Sequence, residues 1–244
     1  MNGSPLYRFV GETGEFRCDD AAQLGQVYFP LANELGLLSA ITPDLNGDIK
    51  TDQHTFFNHP VAFEDLHLTR AARNFWLVFP QFRPWSVSGR SVWQRAAGQR
   101  DGDDDNVTLE AGFLWQKLTR SNPLNGVQAT VTSFVPSAGG TFEIMHVELK
   151  NIAPKTIEFT PVAAIPLYGR SADNLRDHRH VTSLLHRVSR EPFGVKLRPT
   201  MTFNERGHLV NTTEYFVIGA DEQGRAPTGI FPTVESFTGM GGDL

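Results

Sequence analysis

The chain has 244 residues, 40% of them hydrophobic and 20% charged, with a formal net charge of -5. That supplies enough apolar material for the core of one large domain, and it lacks the basic excess needed to hold a polyphosphate backbone, which excludes nucleic acid as a partner. The single cysteine, Cys18, excludes an intrachain disulfide and a cysteine-based metal framework, and as a lone thiol it reads as a small core residue. Met1 to Val10 lacks the basic-then-apolar order of a signal peptide, and no later stretch nears the roughly 18 apolar residues of a membrane span. A soluble cytoplasmic protein with no membrane partner is expected, and the sequons at Asn106 and Asn211 are read as accidental.

In chain order, strands are expected over Gln26 to Leu31, Leu37 to Ile41 and Asn74 to Phe79, because short β-prone runs alternate with turn residues. Between them, Pro60 to Ala72 is the one stretch with helical spacing. Asn125-Gly126 lies between Phe113-Leu114-Trp115 and Val127 to Val131, and this pair accepts the positive φ of a tight turn, so a hairpin is placed there. Met145, Val147 and Leu149 alternate with His146, Glu148 and Lys150, the pattern of a half-buried strand. Thr156 to Ala164 and Val181 to Val188 follow as strands, and Asn204 to Gly207 is the turn of a second hairpin flanked by Val195 to Phe203 and Leu209 to Ile218. The fold class expected is all-β, with two antiparallel sheets face to face in a single sandwich domain over residues 1–244. Phe237 to Leu244 is glycine-rich and does not finish a strand, which suggests a truncated product.

Four features bear on chemistry. Asp101, Asp103 and Asp105 have the spacing of a calcium loop, but Asn106 stands where the glycine belongs and Gly112 where the glutamate belongs, so a solvated turn is expected. Trp76, Trp85 and Trp93, with Phe75, Phe79 and Phe82, are dense enough to read as core rather than as a sugar-stacking platform. The run Arg170 to His180 holds three arginines, two aspartates and two histidines, with His186 and Arg187 close behind. His178 and His180 would share one face of an extended strand, but no third ligand supports a metal, and none is expected. The interleaved guanidinium and carboxylate groups fit a polar surface for sugar hydroxyls or phosphate, and residue types alone fit a structural ion-pair network equally well. Finally, there is no nucleophile elbow, phosphate loop or dinucleotide fingerprint.

Three stretches carry a resemblance: Tyr28 to Glu34 with Ile41-Thr42-Pro43 and Gly47 to Thr51; Glu64 to His67 with Ala71 to Trp76; and Ser171 to Arg187. Together they resemble the amino-terminal region of the inverting phosphorylases of glycoside hydrolase family 94, especially those acting on 1,2-β-oligoglucans. The resemblance implies a modular enzyme: an amino-terminal super-sandwich, a helical linker, an (α/α)6 barrel and a small carboxy-terminal sheet. The family's general-acid aspartate and most phosphate contacts lie in the barrel, so no catalytic residue and no cofactor are expected in this chain, inorganic phosphate being a co-substrate of the whole enzyme. The partners implied are a β-linked gluco-oligosaccharide, the remaining domains and a second subunit. The site residues implied, on the acceptor side, are Arg170, Asp173, Arg176, His178 and His180. A stand-alone carbohydrate-binding module and a structural interaction domain are the alternatives.

Overall fold

The computed structural model describes residues 6–21, 24, 27–66, 71–97, 105–175, 184–204, 206–240, 242 and 244. The chain is an all-β sandwich, and among the described residues every strand pairing is antiparallel. Its largest sheet has six strands in the order β1 (Arg8–Phe9), β2 (Phe16–Cys18), β9 (Asn106–Gly112), β10 (Trp115–Asn122), β11 (Val127–Phe134) and β12 (Ile144–Asn151). The opposite layer combines a four-stranded sheet with a three-stranded one. The former is β3 (Phe29–Ala32), β4 (Leu38–Ile41), β5 (Ile49–Asp52) and β6 (Thr55–Phe56); the latter is β13 (Thr160–Ala164), β7 (Asn74–Val78) and β8 (Trp85–Ser86).

The central strands alternate strictly, which fixes their register, because a slip of one residue would turn every core side chain to water. Val107, Leu109 and Ala111 on β9, Leu118 on β10, and Val127, Ala129 and Val131 on β11 point inward and are buried. Leu118 stands opposite both Leu109 and Val131. They form one core with Leu31, Ile41 and Ile49 of the four-stranded sheet and with Leu77 and Trp85 of the three-stranded sheet. Cys18 belongs to this core and is fully buried, as expected.

Two polar pins run through the sandwich. Arg120 donates to the Val87 carbonyl (2.9 Å) and to Asp105 (2.9 Å), and Asp105 also accepts from Gln94, Asn122 and Trp85. The side chain of Asp105 is 1% exposed, so the expectation of a solvated turn is corrected at that residue, while 101–104 lie outside the described residues. Four donors compensate the carboxylate there for lost hydration. At the other pin, buried Arg73 faces Glu143 across 2.6 Å and donates to the carbonyls of Ala40 and Gly47 and to the Ser39 hydroxyl.

The Asn125-Gly126 turn is present, with Gly126 at φ 73°, but the preceding strand is β10, because Leu114 at φ 63° already turns the chain back after β9. Among the described residues of Pro60 to Ala72 no α-helix forms. A single 3-10 turn at Phe63–Asp65 is the only helical turn among its described residues, and 67–70 lie outside the description. Ala71 and Ala72 are tied instead by bonds to the Asn46-Gly47 backbone. Two short helices whose full extent is described lie elsewhere, α1 (Val92–Ala97) and α2 (Val234–Thr238), the latter begun by a Thr233/Ser236 capping box. Beyond α2, Leu244 packs with Ala72, Trp76 and Ala164, and its carbonyl accepts from Asn74.

A second hairpin does turn where it was expected, between β16 (Thr200–Asn204) and β17 (Gly207–Asn211). Its flanks do not continue into it. Pro199 and Thr200 break the run from 195 to 203, so β15 (Gly194–Arg198) pairs instead with β14 (Arg187–Glu191) and β18 (Tyr215–Ile218) in a separate three-stranded sheet. Proline carries no N–H for a ladder, and Thr200 adopts φ 63°, outside strand geometry.

The Arg73 pin generates a stability test. Glu143→Gln leaves a buried guanidinium without its carboxylate, and the expected loss is about 3–5 kcal/mol of unfolding free energy in urea titration. Asp221→Asn, which breaks the exposed pair with Arg225, is expected to change it little.

Candidate functional site

The site is built where the segment 168–172 lies alongside β6. Tyr168 N donates to the Phe57 carbonyl (2.7 Å), Gly169 N to Phe56 (3.0 Å) and Phe56 N to the Arg170 carbonyl (3.1 Å), while Ala172 N reaches Gln53 (3.1 Å). These bonds add one more extended segment to the four-stranded sheet. The chain then tightens into a 3-10 turn, Ala172–Leu175, whose buried Asn174 accepts from the Ser171 hydroxyl. Gly169 has φ 65°, and a Cβ there would lie 2.7 Å from a Leu197 methyl, so only glycine permits β15 to approach so closely.

On this frame the polar groups gather. The Arg170 guanidinium stacks 4.2 Å from the centre of the buried Tyr168 ring, and the Tyr168 hydroxyl donates to the Ser171 carbonyl. The His59 ring meets the Tyr168 ring at 5.1 Å, edge to face. His59 is held by the contact of its Nδ1 with the Pro60 carbonyl (3.2 Å), which places the proton on Nδ1 and leaves Nε2 as an acceptor. Asp173 lies 3.9 Å from His54 at the open side of the cluster. Tyr215 closes the floor, its ring 5.4 Å from that of Phe57.

The electrostatics follow from burial around one permanent cation. Burial lowers the pKa of His186 to about 4, and the Arg170 charge pushes it the same way. Burial also lowers that of His59, a trend partly offset by the Pro60 carbonyl and reinforced by Arg170. Arg170 is itself lowered from its usual value by burial. Tyr215 is raised to about 12 by burial and by the nearby Asp52 carboxylate. Near neutral pH, then, two uncharged imidazoles flank a guanidinium, with a phenol ring between Arg170 and His59 and a carboxylate at the rim. Such a set both donates and accepts hydrogen bonds in fixed directions, as a polyhydroxylated ligand requires.

Of the site residues expected from sequence, Arg170 and Asp173 are brought into this cluster. Arg176, His178 and His180 lie outside the described residues, and with them the two-histidine spacing considered for zinc. Among the described residues, no three histidine, cysteine or carboxylate groups are arranged to hold a metal ion. His59, Tyr168 and Tyr215 were not anticipated as members. His59 stands more than a hundred positions from Arg170, and only the β6 register joins them. The tryptophans do not line up: Trp76 and Trp85 are buried, while Trp93 is 50% exposed with Arg83 stacked 3.1 Å from its ring centre.

The fold and the cluster together define an all-β sandwich with a half-buried polar site beside β6. No protein-family model and no curated protein matches the chain. No helix among the described residues is long and apolar enough to cross a membrane.

The buried imidazole predicts a pH dependence. A histidine whose pKa falls from an ordinary 6.5 to about 4 on folding is protonated first in the unfolded chain. Stability present above pH 6.5 is therefore lost progressively as pH falls toward 4. His186→Gln is expected to flatten the decline of melting temperature between pH 6.5 and pH 4 relative to the parent. Parallel profiles for the two proteins would mean that His186 is not desolvated.

Proposed function

We propose that this chain is the sandwich portion of an inverting β-glucan phosphorylase and that it forms one wall of the acceptor side of the sugar site. The observation that carries the reading is the cluster of His59, Tyr168, Arg170 and Asp173 with His186. Two of its members, Asp173 and His186, lie in Ser171 to Arg187, one of the three stretches that carry the resemblance to the family 94 phosphorylases, and its donors and acceptors suit sugar hydroxyls. In such a reaction an acid protonates the glycosidic oxygen while phosphate attacks the anomeric carbon from the opposite face, releasing glucose 1-phosphate with inversion. The general acid and the phosphate pocket belong to the helical barrel of the family. The contribution of this chain is to orient the acceptor: Arg170 donates to a hydroxyl oxygen, and His59 Nε2 or Asp173 accepts a hydroxyl proton.

On this reading the chain by itself neither phosphorolyses nor hydrolyses β-linked glucans. A wall without its opposite face buries little of a ligand, so binding by the chain alone is weak. The binding-module alternative would need a row of exposed indoles, and burial of Trp76 and Trp85 gives it no such row.

Titration calorimetry with sophorose tests the proposal. Binding in the millimolar range is expected, and Arg170→Ala should weaken it by about tenfold to a hundredfold, the effect of about 1.5–3 kcal/mol for a lost hydrogen bond from a charged donor. A folded Arg170→Ala protein with lowered melting temperature and unchanged sophorose affinity would assign the cluster to structure alone. Submicromolar binding by the parent would favour the binding module.

A further inference from the structure

The polar interior of the sandwich continues beyond its two pins, where the loop 42–48 joins β4 to β5. Gln116 on β10 and Ser133 on β11 stand opposite each other, and both point inward and are fully buried. Side chains so paired have Cβ atoms about 5 Å apart, near enough to share one small partner. Ala111, also fully buried, flanks Gln116 on its other side, so the long amide stands between two small side chains. Gln116 reaches across to the opposite layer, where its Nε2 donates to the Thr42 carbonyl (3.1 Å). Asn46 in the same loop is fully buried too, and its Nδ2 donates to Asp44 (2.8 Å).

These two bonds fix the orientation of both amides. Exchanging oxygen and nitrogen would set Gln116 Oε1 against a carbonyl and Asn46 Oδ1 against a carboxylate. Each amide therefore presents an oxygen to the interior, and Asn46 Oδ1, Gln116 Oε1 and Ser133 Oγ have no hydrogen-bond partner among the described residues. The loop is nonetheless held firmly. Leu45, fully buried at φ 61°, donates its N–H to the Thr42 carbonyl (2.9 Å) and accepts from Arg73 N (3.0 Å). A leucine persists in the left-handed region only where its surroundings over-determine it, so Asn46 is not free to swing out to solvent.

Two acceptors and one hydroxyl thus share a buried place, and burial of such groups is costly unless a ligand answers them. An anion would meet the two acceptors with repulsion, and an apolar group would satisfy none of the three. Water has two protons to give and lone pairs to accept with, and internal waters make about three hydrogen bonds. We infer that Asn46, Gln116 and Ser133 form a binding site for one internal water molecule, which donates to Asn46 Oδ1 and Gln116 Oε1 and accepts the Ser133 hydroxyl proton. The water ties β10 and β11 to the loop 42–48, and so one layer to the other, beside the Gly47 carbonyl on which Arg73 and Asn58 converge.

Oxygen-17 relaxation dispersion on the full chain tests the site, because it reports water molecules held longer than the protein tumbles and is blind to hydroxyl protons. Gln116→Met conserves volume but removes one acceptor, and Ser133→Val fills the space beside it. Each is expected to lower the dispersion amplitude by that of one water relative to the parent. Thr119→Val, on the outer face of β10, should keep the parent amplitude. An unchanged amplitude in Gln116→Met or Ser133→Val would overturn the site, as would an equal fall in Thr119→Val, since the amplitude would then track general loosening. A parent amplitude that declines by one water as potassium chloride is raised would give the site to a monovalent cation and overturn water as its ligand. Should neither inward variant fold, the parent decides: cross-relaxation between long-lived water and the Gln116 side-chain amide protons is expected, and its absence would overturn the site.

Discussion

A guanidinium taken out of water has to be surrounded by acceptors, and at Arg73 that requirement organises one end of the molecule. Its partners come from β4, from the loop before β5 and from Glu143 at the start of β12, so the two layers of the sandwich meet at one charge. The Gly47 carbonyl that accepts from Arg73 also accepts from Asn58, and Asn58 in turn receives the Ile49 N–H. Gly47 itself has φ 128°, and a Cβ there would stand 2.0 Å from the Ala40 carbonyl oxygen. Residue 59 follows directly on this lattice, and 53–57 present the backbone along which Tyr168 to Ala172 align. The position of the His59 imidazole is therefore inherited from a buried ion pair rather than set by a mobile loop.

The polar cluster gains its chemistry from the same constraint. Arg170 sits on an aromatic face instead of in open solvent, and its charge reaches two imidazoles that burial already disfavours as cations. The β14–β15–β18 sheet contributes the floor through Leu197 and Tyr215, close against Gly169. One side of the site thus belongs to the rigid sandwich and the other to a smaller sheet that ends in the hairpin.

Much of the fold was legible because strand alternation is a local signal. The pattern of Met145, Val147 and Leu149 located β12, and Asn125-Gly126 located a turn, since that pair tolerates a backbone few others accept. Leu149 is nevertheless 37% exposed, because β12 is an edge strand and apolar alternation alone does not tell an edge from a centre. The stretch from 195 to 203 reads as one strand by composition, and the break at Pro199 was the available warning. Asp105 looked like part of a solvated acidic run; its four donors come from residues 85, 94, 120 and 122, which no spacing rule connects. In the site, the charge density around Arg170 was visible, whereas His59 and Tyr168 carry no local mark and are recruited by register alone.

The six-stranded sheet ends in β1 on one side and β12 on the other, and both margins carry charge. On β1, Arg8 stands directly opposite Arg17, and Asp19 bridges the two. Along β12, His146, Glu148 and Lys150 project into solvent between the apolar positions. A neighbouring chain that tried to extend the sheet would have to strip water from these groups and accommodate their charges at strand spacing. At these positions the charged margins oppose the addition of a further strand to the largest sheet.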